Sequence, residues 1–271
     1  MNSIEKLTKK LNDNKHICVG LDTDINKIPK HLLNEVNPVF EFNKAIIENT
    51  SDDATCYKIN LAFYERDGVA GLENLEKTLE LIPEDVFVIG DAKRGDIGNT
   101  SDMYAKSIYE HFKFDSITLH PYMGYDSVQP FLEYEDKINF ILALTSNKGN
   151  ADFEKQLLQD GSYLFQKVIK TVNSWNGKKN CGIVFGATNP QELEENVETF
   201  EDLFVLLPGV GAQGGSLEDV AKTFSKKDNN KYIVNVSRAL LYADNTERFG
   251  VVSNEVLKNY NRTVLEILNN K

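Results

Sequence analysis

The stretch Asp91-Ala-Lys93-Arg-Gly-Asp96 places two carboxylates and an ammonium close together, directly after the apolar run VFVIG. If that run is a strand, Asp91 and Lys93 lie two apart and point the same way. Asp96 then falls in the following turn. Lys58 stands within an earlier run of the same kind, TCYKINLAF. The four form an alternating set of two ammoniums and two carboxylates, costly to bury unless every charge is paired. A plain ion-pair network is the simpler reading of D-x-K alone. Four alternating charges at neighbouring strand ends point instead to a functional site. The tripeptide Arg94-Gly95-Asp96 also spells a cell-adhesion signal, which we read as coincidence. A second feature is Pro208-Gly-Val-Gly-Ala-Gln-Gly-Gly215, followed some twenty residues later by Arg238. Glycine-rich backbone before a helix offers N–H groups to an anion, and arginine grips phosphate bidentately.

These residues need elements to hold them. Short apolar, β-branched runs recur along the chain: HICVGLD, TCYKINLAF, VFVIGDAK, SITLHP, INFILALTS, CGIVFGAT, LFVLLPGV and YIVNVSR. They are nearly continuous rather than alternating, as expected of parallel strands covered on both faces. Between them lie segments with helical spacing. Asn99 to Phe114 carries Met103, Ile108 and Phe112; Ala151 to Trp175 carries Leu157, Leu158, Phe165, Val168, Ile169 and Val172; Glu255 to Asn269 carries Val256, Tyr260, Val264 and Leu268. Strands alternating with helices pair in parallel through right-handed crossovers. Eight such units predict an α/β fold, a single (β/α)8 TIM barrel spanning residues 1–271. The first run is followed by TDINKIP rather than G-x-G-x-x-G, which argues against a dinucleotide-binding sheet. The polar stretch 225–231 reads as a surface loop.

Barrel active sites sit at the C-terminal strand ends, and phosphate is often held by the loops after strands seven and eight. Reading the ends in order gives Asp22, Lys58, Asp91 with Lys93 and Asp96, His120, Ser146, Thr188, the Gly209–Gly215 loop, and Ser237 with Arg238. The glycine loop and Arg238 therefore predict a phosphorylated small molecule. His120 precedes a proline and reads as a loop histidine. His16, His31 and His111 lack metal-ligand spacing, and Ser146 has no evident His/Asp partner for a nucleophilic triad.

Composition sets outer limits. The 271 residues suit one barrel, which typically needs about 250. With 30 basic against 41 acidic residues the net charge is −11, the wrong sign for a nucleic-acid binder. Cys18, Cys56 and Cys181 are sparse and odd in number, which reads as reduced core thiols. The opening MNSIEKLTKKLNDNK has no apolar signal region, and no segment approaches the roughly 20 apolar residues of a membrane span. A cytoplasmic protein without membrane partners is expected.

The motif Asp91-Ala-Lys93-Arg-Gly-Asp96-Ile-Gly-Asn-Thr100 resembles the D-x-K-x-x-D-I-x-x-T signature of the orotidine 5′-phosphate decarboxylase family. The likeness runs along nearly the whole chain. Gly20-Leu21-Asp22 resembles the first-strand end, where the aspartate holds the ribose. Tyr57-Lys58-Ile59-Asn60 resembles the second-strand lysine site. Thr145-Ser146-Asn147-Lys148-Gly149 resembles the loop whose serine touches the pyrimidine. Pro208 to Gly215 resembles the mobile phosphate loop, with Gln213 as ligand, and Val236-Ser237-Arg238-Ala239 the phosphate-binding end of strand eight. Ser237 departs from the glycine of many relatives. The segments 24–50 and 150–179 are longer than in compact members and resemble the longer bacterial subgroup.

The resemblance implies decarboxylation of orotidine 5′-monophosphate to uridine 5′-monophosphate without metal or cofactor. Lys58, Asp91, Lys93 and Asp96 would be catalytic, and Asp22, Thr100, Ser146, Gln213 and Arg238 would bind substrate. It also implies a homodimer in which Asp96 and Thr100 reach the neighbouring subunit's site. Losing CO₂ from C6 leaves an electron pair in the ring plane, which π delocalisation does not reach, so electrostatic preorganisation must stabilise it. Three rivals stand beside this reading. They are a Mg²⁺-dependent sugar-phosphate decarboxylase or aldolase on the same scaffold, a Schiff-base aldolase using Lys58 or Lys93, and a non-catalytic phosphate-binding barrel.

Overall fold

The computed structural model describes residues 1–211 and 213–270. Eight parallel strands close into a barrel in sequence order: β1 (Ile17–Gly20), β2 (Cys56–Asn60), β3 (Phe87–Arg94), β4 (Ser116–Leu119), β5 (Ile138–Leu144), β6 (Cys181–Phe185), β7 (Phe204–Leu207) and β8 (Tyr232–Val236). Closure is direct, with Gly20 opposite Lys58 on one side of β1 and Val19 opposite Val236 on the other. Each of the eight apolar runs contains one strand. Residues of β1, β4, β6, β7 and β8 are buried throughout, because one face meets the barrel interior and the other the helices.

The helices are α1 (Ser3–Asn12), α2 (Pro38–Thr50), α3 (Ala62–Glu65), α4 (Gly68–Glu80), α5 (Gly98–Lys106), α6 (Tyr125–Leu132), α7 (Leu164–Trp175), α8 (Pro190–Asn196), α9 (Leu217–Lys226), α10 (Arg238–Leu241) and α11 (Phe249–Asn269). Helix α1 closes the lower end of the barrel. Asn2 and Glu5 form a capping box at its start, and Leu7 and Leu11 pack into an interior cluster with Cys18, Cys56, Phe87, Ile89 and Phe140. Buried Asp115 holds the helix in place, accepting from Ser3 Oγ at 2.6 Å, Lys6 Nζ at 3.1 Å and the Val88 N–H at 2.9 Å. Val184 and Leu206 belong to this same cluster and form the floor of the upper cavity. All three cysteines are buried thiols.

Three helix expectations change. The segment from Ala151 is not helical until Leu164. A 3-10 turn at Lys148–Asp152 leads into a reversal in which the Leu158 N–H donates to Ser162 O, with Gly161 at φ +82°. Leu157, placed on the apolar stripe, is exposed. The Asp160-Gly161 turn overrides the coincidental spacing of leucines. Met103, also assigned to a buried stripe, is exposed, and α5 widens into a π turn at Ser107–His111. The last helix begins at Phe249, well before Glu255.

Among the described residues no helix is long and apolar enough to cross a membrane.

Candidate active site

The upper mouth of the barrel encloses a cavity of about 320 Å³ lined by residues of all eight strands or the turns that follow them, β4 and β6 contributing Thr118 and Val184 from within the strand. The volume lies within the range of small-molecule sites. Along one wall runs a row of alternating charge. Lys58 Nζ is 3.3 Å from Asp22 Oδ1 and 3.0 Å from Asp91 Oδ2, and Lys93 Nζ is 2.6 Å from Asp91 Oδ1. Lys58 and Asp91 are buried, whereas the Lys93 side chain is 50% exposed. Burial alone would lower the Lys58 pKa, but Asp22 and Asp91 lift it well above the ordinary lysine value. Burial alone would raise that of Asp91, but Lys58 and Lys93 hold it well below the carboxylate range. Both groups therefore stay charged across the neutral range.

Backbone geometry sets the reach of this row. The register between β3 and β4 shifts between Gly90, opposite Ile117, and Arg94, opposite Leu119. Asp91, Ala92 and Lys93 thus bulge against Thr118 alone, and Lys93 sits at φ +47°, a conformation seldom adopted by a side-chain-bearing residue. Asp91 and Lys93 do share the mouth as expected, but through this bulge rather than simple alternation. Thr118, which sequence reasoning missed, holds it together. Its hydroxyl donates to Asp91 Oδ1 at 2.9 Å and accepts from the Lys93 N–H at 3.0 Å.

Asp22 is fixed from the other side. Ser237 Oγ donates to Asp22 Oδ2 at 2.9 Å and accepts from Asn235 Nδ2 at 3.3 Å. Ser237 therefore has a definite task where a glycine was the expectation. The close approach explains Gly20, since a Cβ there would lie 2.0 Å from Ser237 Oγ. Tyr242 donates its hydroxyl proton to Asp22 O at 3.3 Å and accepts from the Asp24 N–H at 2.8 Å.

Ser146, Gln213 and Arg238 line the same cavity from the segments after β5, β7 and β8. Arg238 opens the short helix α10, is exposed, and has no carboxylate within ion-pair distance among the described residues. The glycine loop differs from expectation. The N–H groups of Gly211, Gly214 and Gly215 are not offered outward but donate to Gly215 O, Gly211 O and Gly209 O within the loop. Gly209, Gly211 and Gly214 all have positive φ, which this tight fold requires. Ala212 lies outside the described residues. His120 packs against Gly95 and lies outside the cavity, as a loop histidine would.

Two expected site residues are not brought to the cavity of their own chain. Asp96 accepts from the Ile97 N–H at 2.8 Å and Thr100 is exposed on α5; neither lines the mouth. Around them the surface is unusually apolar. Ile97, Met103, Tyr104, Tyr122, Met123 and Tyr125 are all exposed on α5, α6 and the turns preceding them. The two helices are joined by the Ser101 hydroxyl donating to Ser127 O at 2.8 Å.

A closed (β/α)8 barrel with a paired lysine–aspartate row at its upper mouth places the chain among the TIM-barrel enzymes. Residues 15–249 match the model of the orotidine 5′-phosphate decarboxylase / HUMPS family, and the chain belongs to that family. An orotidine 5′-phosphate decarboxylase of Porphyromonas gingivalis is 52% identical over 236 residues, covering 86% of this chain and 85% of that one. The structure of Leishmania donovani OMP decarboxylase superposes with a TM-score of 0.84 at 33% identity, covering 98% of this chain and 99% of that one. That of Leishmania donovani UMP synthase gives 0.85 at 34%, with this chain spanning 97% of its own length and 57% of that longer protein.

Proposed function

We propose that this chain decarboxylates orotidine 5′-monophosphate to uridine 5′-monophosphate in pyrimidine biosynthesis, as a single catalytic domain without a cofactor in the cytoplasm. The observation that carries the reading is the Asp22–Lys58–Asp91–Lys93 row lining one cavity with Arg238, which has no ion-pair partner among the described residues. Phosphate would bind Arg238 and Gln213, the ribose hydroxyls Asp22, and the base the Ser146 loop. C6 would then face Lys93. When the C6–CO₂ bond breaks, its electron pair stays on C6, and the Lys93 ammonium stabilises it and transfers a proton to form the C6–H bond. Solvent restores the proton to Lys93. Asp91 holds the Lys93 ammonium in place at 2.6 Å and crowds the departing carboxylate. Remote phosphate contacts help to order the site for this step.

The Mg²⁺-dependent alternative on the same scaffold fits the donor set poorly. Both carboxylates in the row, Asp22 and Asp91, already accept from lysine ammoniums that a divalent cation would have to displace. Loss of orotidine monophosphate absorbance with chelator present tests the assignment. Turnover that disappears with chelator and returns with Mg²⁺ would refute it.

The position of half-buried Asp96 and exposed Thr100, outside their own chain's cavity and amid an apolar surface, supports a homodimer in which these residues complete the partner's pocket. An isologous pair would bury the same patch on both copies. Mixing Lys93→Ala with Asp96→Ala under subunit exchange collects both defects in one pocket of the heterodimer and leaves the other intact. About half the wild-type activity per heterodimer should return. No recovery despite demonstrated exchange would place Asp96 at its own chain's pocket.

A further inference from the structure

We infer that Glu154 is a positioning residue for recognition of the base, acting through Thr145 and Ser146. The inference rests on the decarboxylase reading above and deepens it. Thr145 follows β5 and directly precedes Ser146, and every polar group it has is held by a side chain from beyond the strand. Its N–H donates to Glu154 Oε2 at 2.6 Å, and its hydroxyl lies 2.8 Å from Glu154 Oε1 and 2.7 Å from Asn147 Oδ1, sharing its one proton between them. Its carbonyl accepts from Asn150 Nδ2 at 2.9 Å and Asn189 Nδ2 at 3.2 Å. Both asparagines are buried. So dense a clamp on one half-buried residue is more than a strand end needs.

Its product is the placement of Ser146. The Ser146 carbonyl accepts from Thr188 Oγ1 at 3.0 Å. A Cβ on Gly186 would lie 2.7 Å from the Ser146 backbone, and one on Gly209 would lie 3.2 Å from its Cβ. Two glycines therefore leave a slot of its own size for Ser146. Yet the Ser146 hydroxyl makes no hydrogen bond to any described residue while lining the cavity. A side chain fixed on all sides, with its one donor–acceptor group turned to an open cavity, is arranged for a ligand. The Glu154 carboxylate closes the clamp from the irregular segment after the 3-10 turn, the part of the chain least constrained by the barrel. Phe165 ties that segment back, its N–H donating to Glu154 O at 2.9 Å.

The test compares two probes that share the phosphate end and differ in the base. Dissociation constants of uridine 5′-monophosphate and ribose 5-phosphate are measured for wild type, Glu154→Ala and Glu154→Gln, with steady-state KM and kcat for orotidine monophosphate. Glu154→Ala should weaken the nucleotide about tenfold, the scale of one misplaced hydrogen bond, while ribose 5-phosphate binds as to wild type. KM should rise more than kcat falls. Glu154→Gln retains an acceptor for the Thr145 N–H and should bind both probes as wild type does. Equal weakening of both probes, or no weakening of either, overturns the assignment. Should Glu154→Ala not fold, the Asn150→Ala/Asn189→Ala variant must show the same selective loss. A wild-type protein that ignores the nucleotide altogether refutes the decarboxylase reading instead, so the two failures are separable.

Discussion

Replacing Thr118 by valine keeps the size and branching of the side chain and removes one hydroxyl from the centre of the site. That hydroxyl has two partners, and both are left worse off. Asp91 Oδ1 loses a 2.9 Å donor, and the Lys93 N–H loses its 3.0 Å acceptor inside the bulge. A hydrogen bond to a charged group contributes about 1.5–3 kcal/mol, and an orphaned buried amide costs about 1–3 kcal/mol. Lys93 is half exposed, so water recovers part of the second loss. We expect a stability loss of about 2–3 kcal/mol by urea titration. The more telling effect is on rate. Without the hydroxyl the bulge no longer fixes where Lys93 leaves the strand, so the ammonium is less well aimed at C6. If 1.4–2.8 kcal/mol of aim is lost, kcat falls about 10- to 100-fold. KM should change much less, because the Thr118 hydroxyl bonds to Asp91 and Lys93 and to neither Arg238 nor Gln213. Thr118→Ser retains the hydroxyl and should recover most of the rate. Wild-type kcat in Thr118→Val, or equal damage in Thr118→Ser, would show that the bulge is held by the backbone alone.

Two further expectations follow from the same geometry. Arg238→Ala and Gln213→Ala should both raise KM for orotidine monophosphate, the arginine variant more, because a charge-assisted contact exceeds a neutral one; unchanged KM in both would move the phosphate site elsewhere. Burial lowers the pKa of His16 from 6.5 to about 4. As pH falls the unfolded chain therefore takes up the proton first, and stability held above about pH 6.5 drains towards pH 4, by about 3 kcal/mol. Denaturant titrations of His16→Phe should lose that acid limb, and a slope like that of wild type would implicate other groups.

The barrel was legible because strands buried on both faces must be apolar at nearly every position, and eight such runs leave little else to build. The row Lys58, Asp91 and Lys93 was legible because charge at a strand end is conspicuous against an apolar run. Thr118, Asn235, Tyr242 and Glu154 were not. Thr118 and Tyr242 find their partners more than a dozen residues away, Asn235 acts on a serine whose own task lies at Asp22, and Glu154 is hidden in a segment whose leucines mimic a helix. Gly20 and Gly186 carry their information in what they exclude, the Cβ that would strike Ser237 or Ser146, and a sequence does not show the neighbour. The pattern Ile4, Leu7, Leu11 behind the Asn2–Glu5 cap was readable as an amphipathic helix. Its role as the barrel's lower plug needed the closed fold.

The charged row ends where the apolar surface begins. Asp22, Lys58 and Asp91 grip one another inside the barrel, and Lys93, the last member, is half in solvent with a single carboxylate partner. Water around an ammonium weakens its attraction for a developing carbanion, because in a polar medium the same charges interact far less strongly. A site built on electrostatics therefore gains most from whatever removes that water. Beyond Lys93 the chain continues into Ile97, Met103 and Tyr104, all exposed, which would be an odd margin for a site meant to stay open. On the shared-site reading, covering this margin with a second copy does two things at once. It buries the apolar side chains, and it brings a second carboxylate, Asp96 of the partner subunit, towards the exposed lysine. Assembly and activation of Lys93 would then be one event, and dilution below the dimer's dissociation constant should abolish turnover rather than halve it.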